Sequence, residues 1–132
     1  MISKKLIGIF CISLLLIYAH GLEEIIGGFQ YFDSFMKFGA QYFGTTPETF
    51  YWVSHVVFWL SLPILFFLFH KNRFGLLLMT LLGIIFIVEL HHIVKALTIS
   101  SYYPGMVTAL LYPILGFFYW KELIQNFRNN KS

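Results

Sequence analysis

The chain has 132 residues, of which 58% are hydrophobic and only 11% charged, and its mean hydropathy is +0.75. That leaves too few polar groups to clothe a soluble globule of this size, so the chain reads as an integral membrane protein. The net charge of +3 comes without any basic patch interleaved with exposed aromatics on a soluble region, which excludes nucleic acid as a partner. The single Cys11 excludes an internal disulfide and a cysteine zinc cluster.

Nearly continuous apolar segments run from Leu6 to Ala19, Phe50 to Phe69, Phe74 to Ile99 and Met106 to Trp120. A bilayer-spanning helix needs about 20 mostly apolar residues. The expected fold is all-α: a four-helix transmembrane bundle with a short interfacial amphipathic helix between helices 1 and 2. The whole chain, 1–132, is read as a single integral membrane domain with helices at about 5–26, 47–70, 74–98 and 105–122 and the interfacial helix at about 29–43.

Lys4 and Lys5 followed by an apolar run and Ala19-His20-Gly21 also look like a secretory signal. The apolar character extends through Leu22, Ile25 and Ile26, so we read this segment as a retained first helix. It carries His20, Glu23 and Glu24 near its outer end, and Gly27-Gly28 then breaks it. From Phe29 to Phe43, Phe29, Phe32, Phe35, Met36 and Phe43 recur at helical spacing, opposite Gln30, Asp33, Ser34, Lys37 and Gln41. This pattern predicts a helix lying in the interface that seals the bundle.

Thr45 and Glu48 have capping-box spacing, and Pro47 suits the first turn of helix 2. Helix 2 descends through His55 to His70, and Pro63 is expected to bend it. Lys71-Asn72-Arg73 makes a turn, and helix 3 climbs to about Thr98 with Glu89, His91, His92 and Lys95 in its outer half. Tyr102-Tyr103-Pro104-Gly105 forms the outer turn, and helix 4 returns through Pro113 to Trp120, with the tail fraying beyond Phe127. Lys4, Lys5, Lys71, Arg73, Lys121, Arg128 and Lys131 then share one side, leaving Lys37 and Lys95 on or toward the other. By the positive-inside rule both termini are cytoplasmic.

Ionisable groups within the apolar segments are costly and point to function. On a helix, residues three and four apart share a face, so His20 with Glu23 and Glu24, and Glu89 with His92, form two compact sets. At about 1.5 Å per residue, Leu6 to His20 spans about 21 Å and Phe74 to Glu89 about 22 Å, so the sets are level. His55, about 12 Å below Pro47, reaches a similar layer.

Imidazole and carboxylate together suit zinc or iron(II), whereas calcium and magnesium favour all-oxygen shells. The expected metal ligands are His20, Glu24, Glu89 and His92. Glu23 is the expected general base, and His55 a catalytic shuttle or ligand. His91, Lys95 and Tyr103 are alternates or supporting partners. His91 lies about 100 degrees from His92 around the helix, so His92 is preferred for its spacing from Glu89.

The order and spacing of His20-Gly-Leu-Glu23-Glu24, Glu89 to His92, and Tyr103-Pro104-Gly105-Met106-Val107-Thr108 resemble the HXXEE-domain family of small integral membrane proteins. The resemblance covers most of the chain and implies the same topology and candidate ligands, but no particular activity.

The leading expectation is a metal-dependent membrane enzyme, a hydrolase by default, acting on a lipid or apolar substrate at the outer-leaflet side. An iron centre would permit oxidation, and a Glu/His pair without metal would permit proton transfer. The alternatives are a proton or metal-ion transporter component, or a structural subunit whose Glu/His clusters only fix helix packing. A transporter needs polar access from both sides, and the cytoplasmic halves of helices 1, 3 and 4 are nearly all apolar. Four helices are few for enclosing a large site, which leaves room for a homodimer.

Overall fold

A computed structural model of the protein describes residues 2–71 and 73–130. Asn72 of the expected 71 to 73 turn, the side chain of Arg73, and Lys131 lie outside the described structure. The described residues form helices and connecting turns, with no strand among them.

The first helix, α1 (Lys4–Gly27), opens on Ser3, whose hydroxyl accepts the Leu6 N–H. It closes at Gly28, where φ is 73° and the N–H reaches back to the Glu24 and Ile25 carbonyls. That left-handed cap favours glycine and turns the chain across the end of the molecule.

The single helix expected over 29–43 is two helices, α2 (Phe29–Phe32) and α3 (Ser34–Tyr42). Asp33 separates them: its backbone is extended and its carboxylate accepts the Phe35 and Met36 N–H groups. A short acidic side chain that caps the following helix competes with continuation of the preceding one. The apolar residues divide accordingly. Phe29 is buried, Met36 and Ala40 are buried further along, and Phe32, Phe35 and Phe38 are exposed.

Helix α4 (Pro47–Phe69) is capped by Thr46, whose hydroxyl accepts the Thr49 N–H at 3.1 Å. The expected cap was Thr45. Proline at the first helical position pushes its predecessor into the extended region, which is where an N-cap residue belongs. The helix continues through Pro63 without interruption.

The long helix expected at 74–98 is α5 (Arg73–Val88) and α6 (His91–Ile99), joined by a tightened turn at Glu89 and Leu90. Leu90, His92 and Ile93 donate to carbonyls three residues back, at 3.3, 3.3 and 3.1 Å. The expected fourth helix is likewise divided into α7 (Met106–Ala109) and α8 (Tyr112–Asn129). Pro113, with no N–H to offer, falls in the first turn of α8 rather than inside a helix. Helix α8 then extends to Asn129, past the expected fraying point.

Among the described residues, three stretches are long and apolar enough to cross a membrane: α1, α4 and the α5–α6 stretch Phe74–Ile99. Large parts of their surfaces are apolar and exposed. On α4, Val53, Val57, Leu60, Ile64 and Phe67 all face outward, a pattern suited to lipid contact.

The main core combines Leu6 and Phe10 of α1, Met79 and Phe86 of α5, and Tyr119 and Leu123 of α8. At one end, the Ser3 N–H donates to Asn126 Oδ1 at 2.7 Å and Lys5 pairs with Glu122 at 2.8 Å. Gly75 lies close against Ile2 at the same end. The beginnings of α1 and α5 and the end of α8 are therefore together. At the opposite end, Gly27 packs against Pro104, and Phe29, Met36, Tyr51, Ala96 and Tyr103 form a second cluster.

Candidate metal centre

The tightened turn between α5 and α6 explains how Glu89 and His92 meet. With three residues per turn, positions i and i+3 eclipse one another, closer in angle than in a regular α-helix. Glu89 Oε2 and His92 Nε2 are 3.2 Å apart. Across from them, α1 directs His20 and Glu24 from successive turns of one face. His20 Nε2 is 3.1 Å from Glu89 Oε2 and 3.3 Å from His92 Nε2. Glu24 Oε1 is 3.2 Å from His92 Nε2 and 3.7 Å from His20 Nε2. One ligand atom from each of the four residues lies within 4.8 Å of every other.

The hydrogen bonds behind the rings decide which atoms face the centre. His92 Nδ1 is 2.5 Å from the Pro104 carbonyl, which can only accept, so Nδ1 carries the proton. Thr108 Oγ1 is 2.6 Å from Glu23 Oε2 and 2.7 Å from His20 Nδ1. Its single hydrogen goes to the carboxylate, so His20 Nδ1 must donate to Thr108. When the rings are neutral, the Nε2 lone pair of each points inward, as metal ligation requires.

With both rings neutral, two imidazole lone pairs and two carboxylate oxygens converge without a donor between them and repel one another. A divalent cation satisfies all four at once. Bonds of about 2.0–2.1 Å in tetrahedral geometry put ligand atoms about 3.3–3.4 Å apart; the five separations that involve a histidine, 3.1 to 3.7 Å, bracket that value, and the two carboxylates lie within 4.8 Å of each other. Two carboxylates also neutralise a divalent ion, which removes most of the cost of holding charge in an apolar environment. Among the described residues, all the ion-pair partners of Glu24 and Glu89 are histidines. Lys95 is exposed on α6 and competes for neither carboxylate.

Glu23 is directed away from this cluster. Its carboxylate accepts from the Val107 and Thr108 N–H groups at 3.0 and 2.8 Å, from Thr108 Oγ1, and from the Tyr102 hydroxyl at 3.0 Å. It ties the 102–108 segment to α1 and orients His20 through Thr108, an arrangement unlike the general base expected from its spacing. The lone pairs of its oxygens are largely committed.

His55 lies on the other side of Glu24, with Nε2 3.6 Å from Glu24 Oε2. Its Nδ1 donates to the Tyr51 carbonyl at 2.8 Å and its ring stacks on Tyr51 with centroids 3.7 Å apart. The same Tyr51 gives its hydroxyl hydrogen to Glu24 Oε2 at 2.6 Å. His91 Nδ1 donates to the Val88 carbonyl at 3.0 Å, which turns that ring out of the cluster. Tyr103 is buried, with its ring 5.6 Å from that of His92 and 5.9 Å from Phe29. Burial, with Asp33 and Glu24 nearby, pushes its phenol up to about 12.

A cleft of about 380 Å³ opens onto the cluster, with Glu24, Glu89, His55 and His91 in its wall. His20, Glu24 and His92 are buried, whereas the Glu89 side chain is 23% exposed. Access to the centre is therefore from the Glu89 side.

Sequence reasoning missed Tyr51, Pro104, Gly105 and Thr108 as parts of the site. Gly105, at φ 87°, packs so closely that a Cβ there would lie 2.7 Å from both His20 Cε1 and His92 Nδ1. The stretch from Tyr103 to Thr108 stood out only through its family resemblance, and hydrogen bonds made by a carbonyl and a threonine leave no spacing pattern.

No curated protein and no solved structure matches the chain. A family model described as a protein of unknown function with HXXEE motif matches residues 11–119, a span that includes His20-Gly-Leu-Glu23-Glu24 and all four clustered residues. The chain belongs to this HXXEE family.

Proposed function

We propose that the protein is a metal-dependent membrane hydrolase that cleaves a lipid or other apolar ester or amide. The observation that carries this reading is the convergence of two imidazoles with fixed Nδ1 protons and two carboxylates, their ligand atoms within 4.8 Å of one another, beside a cleft. His20, Glu24, Glu89 and His92 hold zinc or iron(II). When bound, such an ion supplies a Lewis acid that polarises an oxygen of the substrate or of water. Glu89, exposed toward the cleft, is the ligand whose displacement would open the position that a catalytic site requires.

His55 is the general base. Its Nδ1–H is fixed on the Tyr51 carbonyl, so Nε2 presents a lone pair next to Glu24 and the cleft. It accepts a proton from water as water's oxygen bonds to the carbonyl carbon, then passes that proton to the departing alcohol or amine. Glu23 acts as a positioning residue through Thr108, and Tyr51 orients both Glu24 and His55.

Our topology is a four-helix membrane bundle in which α2 and α3 lie at the interface, both termini are cytoplasmic and the site faces the non-cytoplasmic side. The clustering of Lys4, Lys5 and Lys121 with the shared end of α1 and α8 supports it. Beneath the site the core is Leu6, Phe10, Met79, Phe86 and Leu123, an apolar floor that argues against a transport path.

The test is turnover in lipid nanodiscs by protein loaded with zinc or iron(II), followed by mass spectrometry across a panel of acyl esters and amides. We expect metal-dependent release of fatty acid, lost in Glu89→Gln and reduced about 10²–10⁴-fold in His55→Ala. Absence of turnover across the panel by fully loaded protein would count against the hydrolase.

A further inference from the structure

The cleft beside the proposed centre has a distinctive charge. Its wall includes three carboxylates, Glu24, Glu89 and Asp33, and no lysine or arginine. A divalent ion balances two of the three; Asp33, which caps α3 by accepting the Phe35 and Met36 N–H groups, has no lysine or arginine beside it in the wall. An anionic head group entering here would meet like charge with no lysine or arginine in the wall to pair with it, an arrangement that selects against it. An uncharged head group meets acceptors, a Lewis-acidic ion and the His55 and His91 rings.

A second cavity, about 310 Å³, adjoins the cleft and is lined by Phe35, Met36, Phe50, Ser54, His55 and Phe58. Phe35, Met36 and His55 line both. This groove lies between α3 and α4 and is almost wholly apolar. A larger groove, about 480 Å³ between α5 and α8, contains Lys121 and none of the four clustered residues. The apolar path that meets the cluster is therefore the α3–α4 groove, whose lining includes no lysine or arginine.

We infer that the substrate is an acyl lipid with an uncharged head group, its ester or amide carbonyl beside Glu24, Glu89 and His55 and its tail in the α3–α4 groove. The inference rests on the proposed metalloenzyme, but it concerns binding and can be read without turnover. Phosphate-bearing lipids are disfavoured by Asp33 and the ligand carboxylates, and tail length is accommodated toward Phe50 and Phe58.

Two photoreactive probes that differ by one phosphate group test this: 1-palmitoylglycerol and 1-palmitoyl lysophosphatidic acid, each with a diazirine in the acyl chain. The full chain, loaded with zinc in detergent, is irradiated with each probe and the adducts are mapped by mass spectrometry. We expect the glycerol probe to label residues between Phe35 and Phe58, and the phosphate probe to label them at least about tenfold less. Ser54→Trp fills the groove and should reduce glycerol-probe labelling while zinc content stays at wild-type level. Asp33→Asn keeps an N-cap of similar strength and should raise labelling by the phosphate probe.

Equal labelling by the two probes, adducts centred on Phe117 and Ile124 in the α5–α8 groove, or no effect of either substitution would overturn the inference. Zinc content reports separately on the centre. Failure to hold zinc, with the labelling pattern intact, would remove the metalloenzyme and leave the lipid site standing.

Discussion

His20 and His92 face each other through Nε2 because Thr108 and the Pro104 carbonyl hold their Nδ1 atoms from behind. Such outer partners commonly contribute 10–100-fold to metal affinity. Thr108→Val should weaken zinc binding by about that factor in a chelator competition, whereas Thr108→Ser, which keeps the hydroxyl, should stay near wild type. Equal affinity in the two variants would rule out the Glu23–Thr108–His20 chain as a positioning device. Gly105→Ala meets two obstacles, a positive φ and the absence of space against both rings. It should lower stability by more than about 1 kcal/mol in thermal unfolding and reduce zinc retention along with it. At this scale the four clustered residues were readable from helical spacing and from their cost in an apolar segment. Thr108 and Tyr51 were not, because each reaches its partner across tens of residues and neither type is unusual in a membrane helix or turn.

The helices were legible as lengths of apolar sequence, and their interruptions were not. Asp33 ends α2 by capping α3, and Glu89 and Leu90 tighten the path between α5 and α6 with bonds to carbonyls three residues back. Neither interruption contains a glycine or proline to announce it. Pro113 did carry a signal, but an interior kink and a first-turn placement use the same residue, and only the break after Ala109 distinguishes them. The cap of α4 can be settled directly. Thr46→Ala should cost about 0.5–2 kcal/mol in chemical unfolding, while Thr45→Ala should cost much less. The reverse order would restore the capping-box reading with Thr45.

Over the whole molecule, polar contacts gather at two ends separated by an apolar core. Ser3, Lys5, Glu122 and Asn126 fasten one end, and the Glu/His cluster lies near the other. This division was legible in the positions of the charged residues along the chain, whereas the cleft between α3, α4 and the cluster depends on how separate helices pack. With Cys11 replaced by Ala, a cysteine introduced at Ser101 should react with a membrane-impermeant maleimide applied from the non-cytoplasmic side. One introduced at Lys4 should react only after the membrane is opened. The opposite pattern would invert the topology and place the site at the cytoplasmic side.

The centre itself is tested most directly by elemental analysis of the purified, tag-free protein, reconstituted with zinc or iron(II), alongside Glu89→Gln. The account predicts about one ion per chain in the wild type and loss of most of it in the variant, with both proteins folded. No ion in the wild type, or equal content in the two, would contradict a metal centre built from His20, Glu24, Glu89 and His92.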